Sequence, residues 1–133
     1  MYTRIFNIKD DLVAKLSGLM AAIVFGVISE KIKITIVKII DPRTTSPLDE
    51  DAILDSVEKT GRLVVVDETP PRCSFAADIA ALAAGEVFSS LKAPVRQITG
   101  PHSPVPFAKE LEGEFVPSPT KIRDAVSEVV NFK

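Results

Sequence analysis

A chain of 133 residues is one domain's worth of sequence and long enough to close a single core. A net charge of −2 leaves no electrostatic footprint for nucleic acid or an anionic membrane, and one cysteine excludes both an intrachain disulfide and a Cys-rich metal site. The apolar fraction of 46% without Trp suits an Ile/Val/Ala-rich α/β core better than an aromatic-rich sandwich, and a reducing, cytoplasmic compartment is the matching expectation.

In chain order, Thr3 to Ile8 reads as a short strand. Asp10 or Asp11 then caps an expected helix over Leu12–Ile28, whose apolar positions Leu12, Leu16, Leu19, Ile23 and Val27 fit one helical stripe. The uncharged run Leu19 to Ile28 is too short to span a bilayer, which needs about 20 apolar residues. Asp10 and Asp11 stand where a signal peptide would carry a basic region, so that run is expected to be a buried helix. Ile32 to Ile40 alternates at first and then turns mostly apolar, which makes it the strongest strand in the chain. Ser46-Pro47-Leu48-Asp49 is a helix-start signature, with Ser46 as cap, Pro47 in the first turn and an acid near the helix N-terminus. Ile53, Leu54 and Val57 follow at helical spacing, and Gly61 supplies the left-handed stop. Leu63 to Val66 is a continuous aliphatic run, as a strand covered on both faces requires.

Ser74 to Leu91 is Ala-rich and apolar nearly all round, which predicts a well-buried helix. Val95 to Thr99 is a strand closed by Gly100-Pro101, and the prolines of the following PHSPVPF loop make it stiff. Ser118-Pro119 opens the last helix, with Ile122, Ala125, Val126, Val129 and Val130 on one stripe. Strands alternating with helices argue for a three-layer α/β/α domain around an open, mainly parallel sheet.

Three expected strands end in polar residues: Asp41, then Asp67 and Glu68, then Thr99 through His102. In open sheets ligands bind beyond the carboxyl ends of the strands, so these residues are candidates for a divalent-metal or acid–base site. The alternative is that the acids cap the following turns and helices, and that reading is preferred because no calcium-loop spacing and no second histidine is present. Cys73, beside Arg72 at a helix start, is a candidate nucleophile with His102 as its base, or simply a small residue packed at that start. His102 is either part of a stiff recognition loop or a turn residue between prolines. Gly61, Gly85, Gly100 and Gly113 make no phosphate-binding pattern.

Four stretches in order, IDPRTTSPLD, TGRLVVVDE, PPRCSFAADIAALAAGEVF and TGPHSPVPF, resemble the C-terminal, transketolase C-terminal-like domain of the beta subunit of thiamine-diphosphate-dependent 2-oxoacid and acetoin dehydrogenases, the E1 component of those complexes. The resemblance covers residues 32–132, while residues 1–31, an expected strand and helix, diverge. The Pro71-Arg72-Cys73 triplet and His102, where many members carry an acid, tilt it toward the acetoin type. The resemblance implies a sheet of about five strands with one antiparallel member. It also implies that thiamine diphosphate and Mg²⁺ are held elsewhere, between the N-terminal part of the beta subunit and an alpha subunit with a GDG…N motif. This chain has no GDG, and Met1 lies just upstream of the resemblance, so an excised or truncated piece without catalytic, cofactor-binding or metal residues is expected.

The partners so implied are the E1 alpha subunit, the N-terminal part of E1 beta, the E2 acyltransferase and a second copy of the chain. The candidate interface residues are His102, Ser103, Val105, Phe132 and Lys133. In some relatives basic residues of E2 engage the C-terminus of the beta subunit, and here the charge of Lys133 beside the terminal carboxylate weakens that match. The competing expectation is a stand-alone small α/β enzyme or metal-binding domain using Asp41, Asp67, Glu68 and His102.

Overall fold

The computed structural model describes residues 4–7, 21–29 and 34–133, with side chains from Val37 onward. The elements in chain order are β1 (Arg4–Asn7), β2 (Ala21–Ser29), β3 (Ile34–Ile40), α1 (Glu50–Thr60), β4 (Val64–Asp67), α2 (Phe75–Glu86), a 3-10 turn at Phe88–Ser90, β5 (Arg96–Ile98), α3 (Lys109–Phe115) and α4 (Pro119–Val130). Among the described residues the strands form one sheet in the order β1-β3-β2-β4-β5.

The chain is α/β, but the pairing departs from a mainly parallel sheet with one antiparallel member. β1 with β3, β2 with β3 and β2 with β4 are antiparallel, and β4 with β5 is parallel. The source of the departure is the expected helix over Leu12–Ile28. Its first part lies outside the described residues, and Ala21–Ser29 is strand β2, inserted between β3 and β4. AAIVFGVIS is rich in β-branched and aromatic residues, and a short apolar run cannot be assigned to helix or strand by periodicity alone.

The aliphatic run at β4 is covered on both faces, as its composition requires. Val64 and Val66 pack with Val37, Ile122, Ala125 and Val129 on the α4 side. Leu63 and Val65 pack with Ile53, Val57, Ala76, Ile79 and Ala83 on the α1/α2 side. Burying each of these valines contributes about 1.5–3 kcal/mol relative to exposure. Helices on both faces make the domain three layers deep.

Helix ends follow local chemistry. α1 starts at Glu50, not at Pro47, because Asp49 is the cap: its Oδ1 accepts the Ala52 amide at 3.1 Å. Ser46-Pro47 lies in the loop before it, where the Thr44 hydroxyl donates to the Pro47 carbonyl at 3.2 Å. Gly61 ends α1 with φ 69°, donating its amide to Val57 O at 2.7 Å, as the left-handed stop demands. α2 is shorter than the expected helix over Ser74–Leu91. It ends at Glu86, and only Ala76, Ile79 and Ala83 are buried, with Ala81, Ala84 and Gly85 exposed. Alanine is apolar enough to permit burial but too small to compel it. α4 forms as expected, with Ser118 Oγ accepting the Lys121 amide at 3.3 Å and Pro119 in the first turn. α3 is an element that the sequence pattern did not predict.

Candidate functional site

β2 is antiparallel to both β3 and β4, and β5 is parallel to β4, so β3, β4 and β5 all run the same way. Their carboxyl ends bring Asp41, Asp67–Glu68 and Thr99–His102 to one end of the sheet. β2 separates β3 from β4, which sets Asp41 off by about two strand spacings, roughly 10 Å.

Asp67 is the buried member, 3% exposed, and both of its oxygens are engaged. Oδ1 accepts the Thr69 amide at 3.1 Å; Oδ2 accepts the Thr69 hydroxyl at 2.7 Å and the Ala76 amide at 3.2 Å. Ala76 lies in the first turn of α2, so the carboxylate satisfies an amide that the helix leaves without a partner and sits at the positive end of its dipole. Ser74 completes the cap, its Oγ accepting the Ala77 amide at 3.2 Å. Of the two readings of the strand-end acids, capping is the one that Asp67 realises. Asp41 is exposed and Glu68 half-buried. Among the described residues no group of three or more His, Cys, Asp or Glu is placed to share a metal ion. With both oxygens engaged, this acid does not fit a Mg²⁺–diphosphate group.

Cys73 is exposed and has φ 51°, an uncommon conformation for a residue with a Cβ. Among the described residues no hydrogen bond joins it to His102. What the chain needs at Cys73 is a reversal between the Pro70-Pro71 segment and the Ser74 cap.

The loop after β5 is anchored before it reaches the surface. The Gly100 amide donates to Thr69 O at 3.1 Å. A Cβ at Gly100 would lie 2.8 Å from Glu68 O and 2.9 Å from Phe115 Cε1, so only glycine lets the β4 and β5 exits and α3 meet. Beyond it His102, Ser103 and Val105 are all exposed at the carboxyl end of β5. The other two candidate interface residues lie elsewhere. Arg62, just before β4, donates from Nε to Val129 O at 3.0 Å, and Arg96, at the start of β5, pairs with Glu128. The last turn of α4 is thereby held at the amino ends of β4 and β5, and exposed Phe132 and Lys133 follow from there. The five candidates therefore form two groups at opposite ends of the sheet, not one patch.

Sequence reasoning missed α3 and the apolar surface beside it. Phe107 is fully exposed, Val105 is 69% and Leu111 58% exposed. The available signal was the four-residue spacing of Leu111 and Phe115, with Pro117 as a stop.

The family model described as transketolase, C-terminal domain, matches residues 28–122. The chain belongs to this family. Among curated relatives it is 53% identical to the acetoin:2,6-dichlorophenolindophenol oxidoreductase subunit beta of Bacillus subtilis over 93 residues, 70% of this chain and 27% of that protein. The subunit of the same name from Cupriavidus necator is 52% identical over 88 residues, 66% of this chain and 26% of that one. The pyruvate dehydrogenase E1 component subunit beta of Rickettsia bellii is 43% identical over 96 residues, covering 72% and 30%. The chain thus spans less than a third of the length of the curated relatives it matches. Among the described residues of this transketolase C-terminal domain, no helix is long and apolar enough to cross a membrane.

Proposed function

We propose that the chain serves as the C-terminal assembly domain of an E1 beta subunit in a thiamine-diphosphate-dependent dehydrogenase of the acetoin type. The observation that carries the reading is the family match over residues 28–122, with identity to acetoin-type beta subunits of 53% and 52% against 43% for a pyruvate-type one. In this reading the domain performs no chemistry. The cofactor and its Mg²⁺ belong to the alpha subunit and the N-terminal part of beta, and this domain holds those parts together and docks the E2 acyltransferase. Such a complex is an oligomer in which the domain also meets a second copy of itself. The engaged hydrogen bonds of Asp67 support a structural use of the strand-end acid, and exposed Cys73 is compatible with a reducing, cytoplasmic setting. His102, Ser103 and Val105 at one end of the sheet, and Phe132 and Lys133 at the other, serve separate contacts.

The test is a chimera in which residues 32–132 replace the corresponding part of the Bacillus subtilis beta subunit, co-expressed with its alpha subunit. Assembly into an alpha–beta complex with acetoin-dependent dye reduction is expected. A folded chimera that stays apart from the alpha subunit and from E2 would sink the reading.

A further inference from the structure

Val105, Phe107 and Leu111 are large apolar side chains left in water within a seven-residue stretch, and the stretch is not loose. Pro104 and Pro106 fix the backbone around Val105, and Phe107 directly precedes the cap of α3, where the Leu111 and Glu112 amides donate to Ala108 O at 3.0 and 2.9 Å. Buried Phe115, packed against Gly100, anchors the far end of α3. Leu111 lies one turn before Phe115, on the flank shared with Glu110 and Glu114. Glu112 borders Phe115 on the other side, and all three glutamates are exposed. Against Lys109, they leave the helix acidic. Rigid aromatic and aliphatic anchors rimmed by one sign of charge are what a recognition surface needs, because little entropy is lost on docking and the charge selects the partner.

We propose that Val105, Phe107 and Leu111, framed by Glu110, Glu112 and Glu114, form a docking surface for a protein partner that presents an apolar face edged by lysine and arginine. The proposal rests on the assembly-domain reading and names the chemistry of one partner. Phe107 is the anchor: a phenylalanine carries on the order of 150–250 Å² of buriable surface, the largest share of the patch. Charge complementarity excludes a second copy of the same surface, since two acidic rims would repel.

The experiment uses two synthetic amphipathic helical peptides of about 18 residues, five turns, with identical leucine faces and either lysine or glutamate on the other face. Their binding to the 133-residue chain is read by fluorescence anisotropy. The lysine peptide is expected to bind at least about tenfold more tightly than the glutamate peptide, the equivalent of about 1.4 kcal/mol. The double variant F107S/L111S is expected to lose that binding with its circular dichroism unchanged. The triple variant E110K/E112K/E114K is expected to reverse the preference, and F88S, at an exposed aromatic elsewhere, to leave it alone. Absence of lysine-peptide binding at 100 μM, binding that survives F107S/L111S, or equal loss in F88S overturns the proposal. A chimera that fails to assemble while the peptides still discriminate removes the acetoin-type reading and keeps the surface; an assembling chimera with no discrimination does the reverse.

Discussion

Arg62 Nε donates to the Val129 carbonyl at 3.0 Å, joining residues 67 apart in sequence. Val129 sits in the last turn of α4, whose carbonyls lack helical partners, and a guanidinium there also favours the negative end of the helix dipole. The bond fixes the end of the last helix against the amino end of β4. Arg62→Ala is expected to cost about 1.5–3 kcal/mol, the range for a hydrogen bond to a charged group, in urea unfolding of the domain. Arg62→Lys should recover only part of this, because a single ammonium cannot reproduce the fixed direction of Nε–H. A cost below the error of the extrapolation for Arg62→Ala would mean that α4 is held by its apolar stripe alone.

Two glycines give opposite expectations. At Gly100 an added methyl meets backbone, Glu68 O at 2.8 Å, and the ring of Phe115 at 2.9 Å. The backbone cannot step aside cheaply, so Gly100→Ala is expected to destabilise by about 1–3 kcal/mol. At Gly85, exposed within α2, the same methyl meets nothing within 4 Å. Gly85→Ala should stabilise by about 0.5–1 kcal/mol through helix propensity alone. Thermal melting of the two variants side by side decides, and a shift in the same direction for both would contradict this account.

The parts legible in the sequence are those whose chemistry is local. Gly61 and Ser118-Pro119 mark helix ends whatever surrounds them, and an uninterrupted Leu63-to-Val66 run needs cover on both faces. The cap of α1 falls at Asp49 rather than the expected Ser46. Both are competent caps by residue type, and it is Asp49 whose side chain meets the Ala52 amide. The strand at Ala21–Ser29 reads as a helix in sequence because its pairing partners, β3 and β4, lie farther along the chain. Alternation alone carries the α/β class but not strand direction, which is a long-range property. At the candidate site, the stiffness of the loop that carries His102, Ser103 and Val105 follows from three prolines. The separation of Phe132 and Lys133 from them does not, since it depends on the antiparallel run of α4 against β4.

Ser56 is 1% exposed within α1, and among the described residues its hydroxyl has no hydrogen-bond partner. Its backbone carbonyl does accept the Thr60 hydroxyl at 2.8 Å, and that bond does not depend on the Ser56 side chain. A buried hydroxyl left without a partner costs about 1–3 kcal/mol of desolvation. Ser56→Ala removes it, adds helix propensity and leaves a void of one oxygen atom. A gain of about 1 kcal/mol in unfolding free energy is expected. A loss of that size would show that the hydroxyl is bonded in solution.

Asp67 and His102 stand at the same end of the sheet, and substitution separates their roles. Asp67 accepts three hydrogen bonds with both oxygens while almost fully buried. Asp67→Asn replaces one acceptor with a donor facing either the Thr69 amide or the pair on Oδ2, so the Thr69 or the Ala76 amide loses its partner. A cost of about 1–3 kcal/mol is expected, with the α2 N-terminus loosening first in hydrogen exchange. His102→Ala touches an exposed loop residue and is expected to change stability by no more than about 0.5 kcal/mol. If the loop docks E2 or a neighbouring subunit through His102, the same variant in a reconstituted complex should weaken that association by about 1 kcal/mol or more. Urea unfolding of both variants, paired with the affinity of His102→Ala for the E2 binding domain, reads the two roles apart. A stable Asp67→Asn domain would mean that the carboxylate is kept for chemistry rather than for the helix start, and would reopen the strand-end acids as a working site. A large loss of stability in His102→Ala with unchanged affinity would place the interface away from the proline-rich loop.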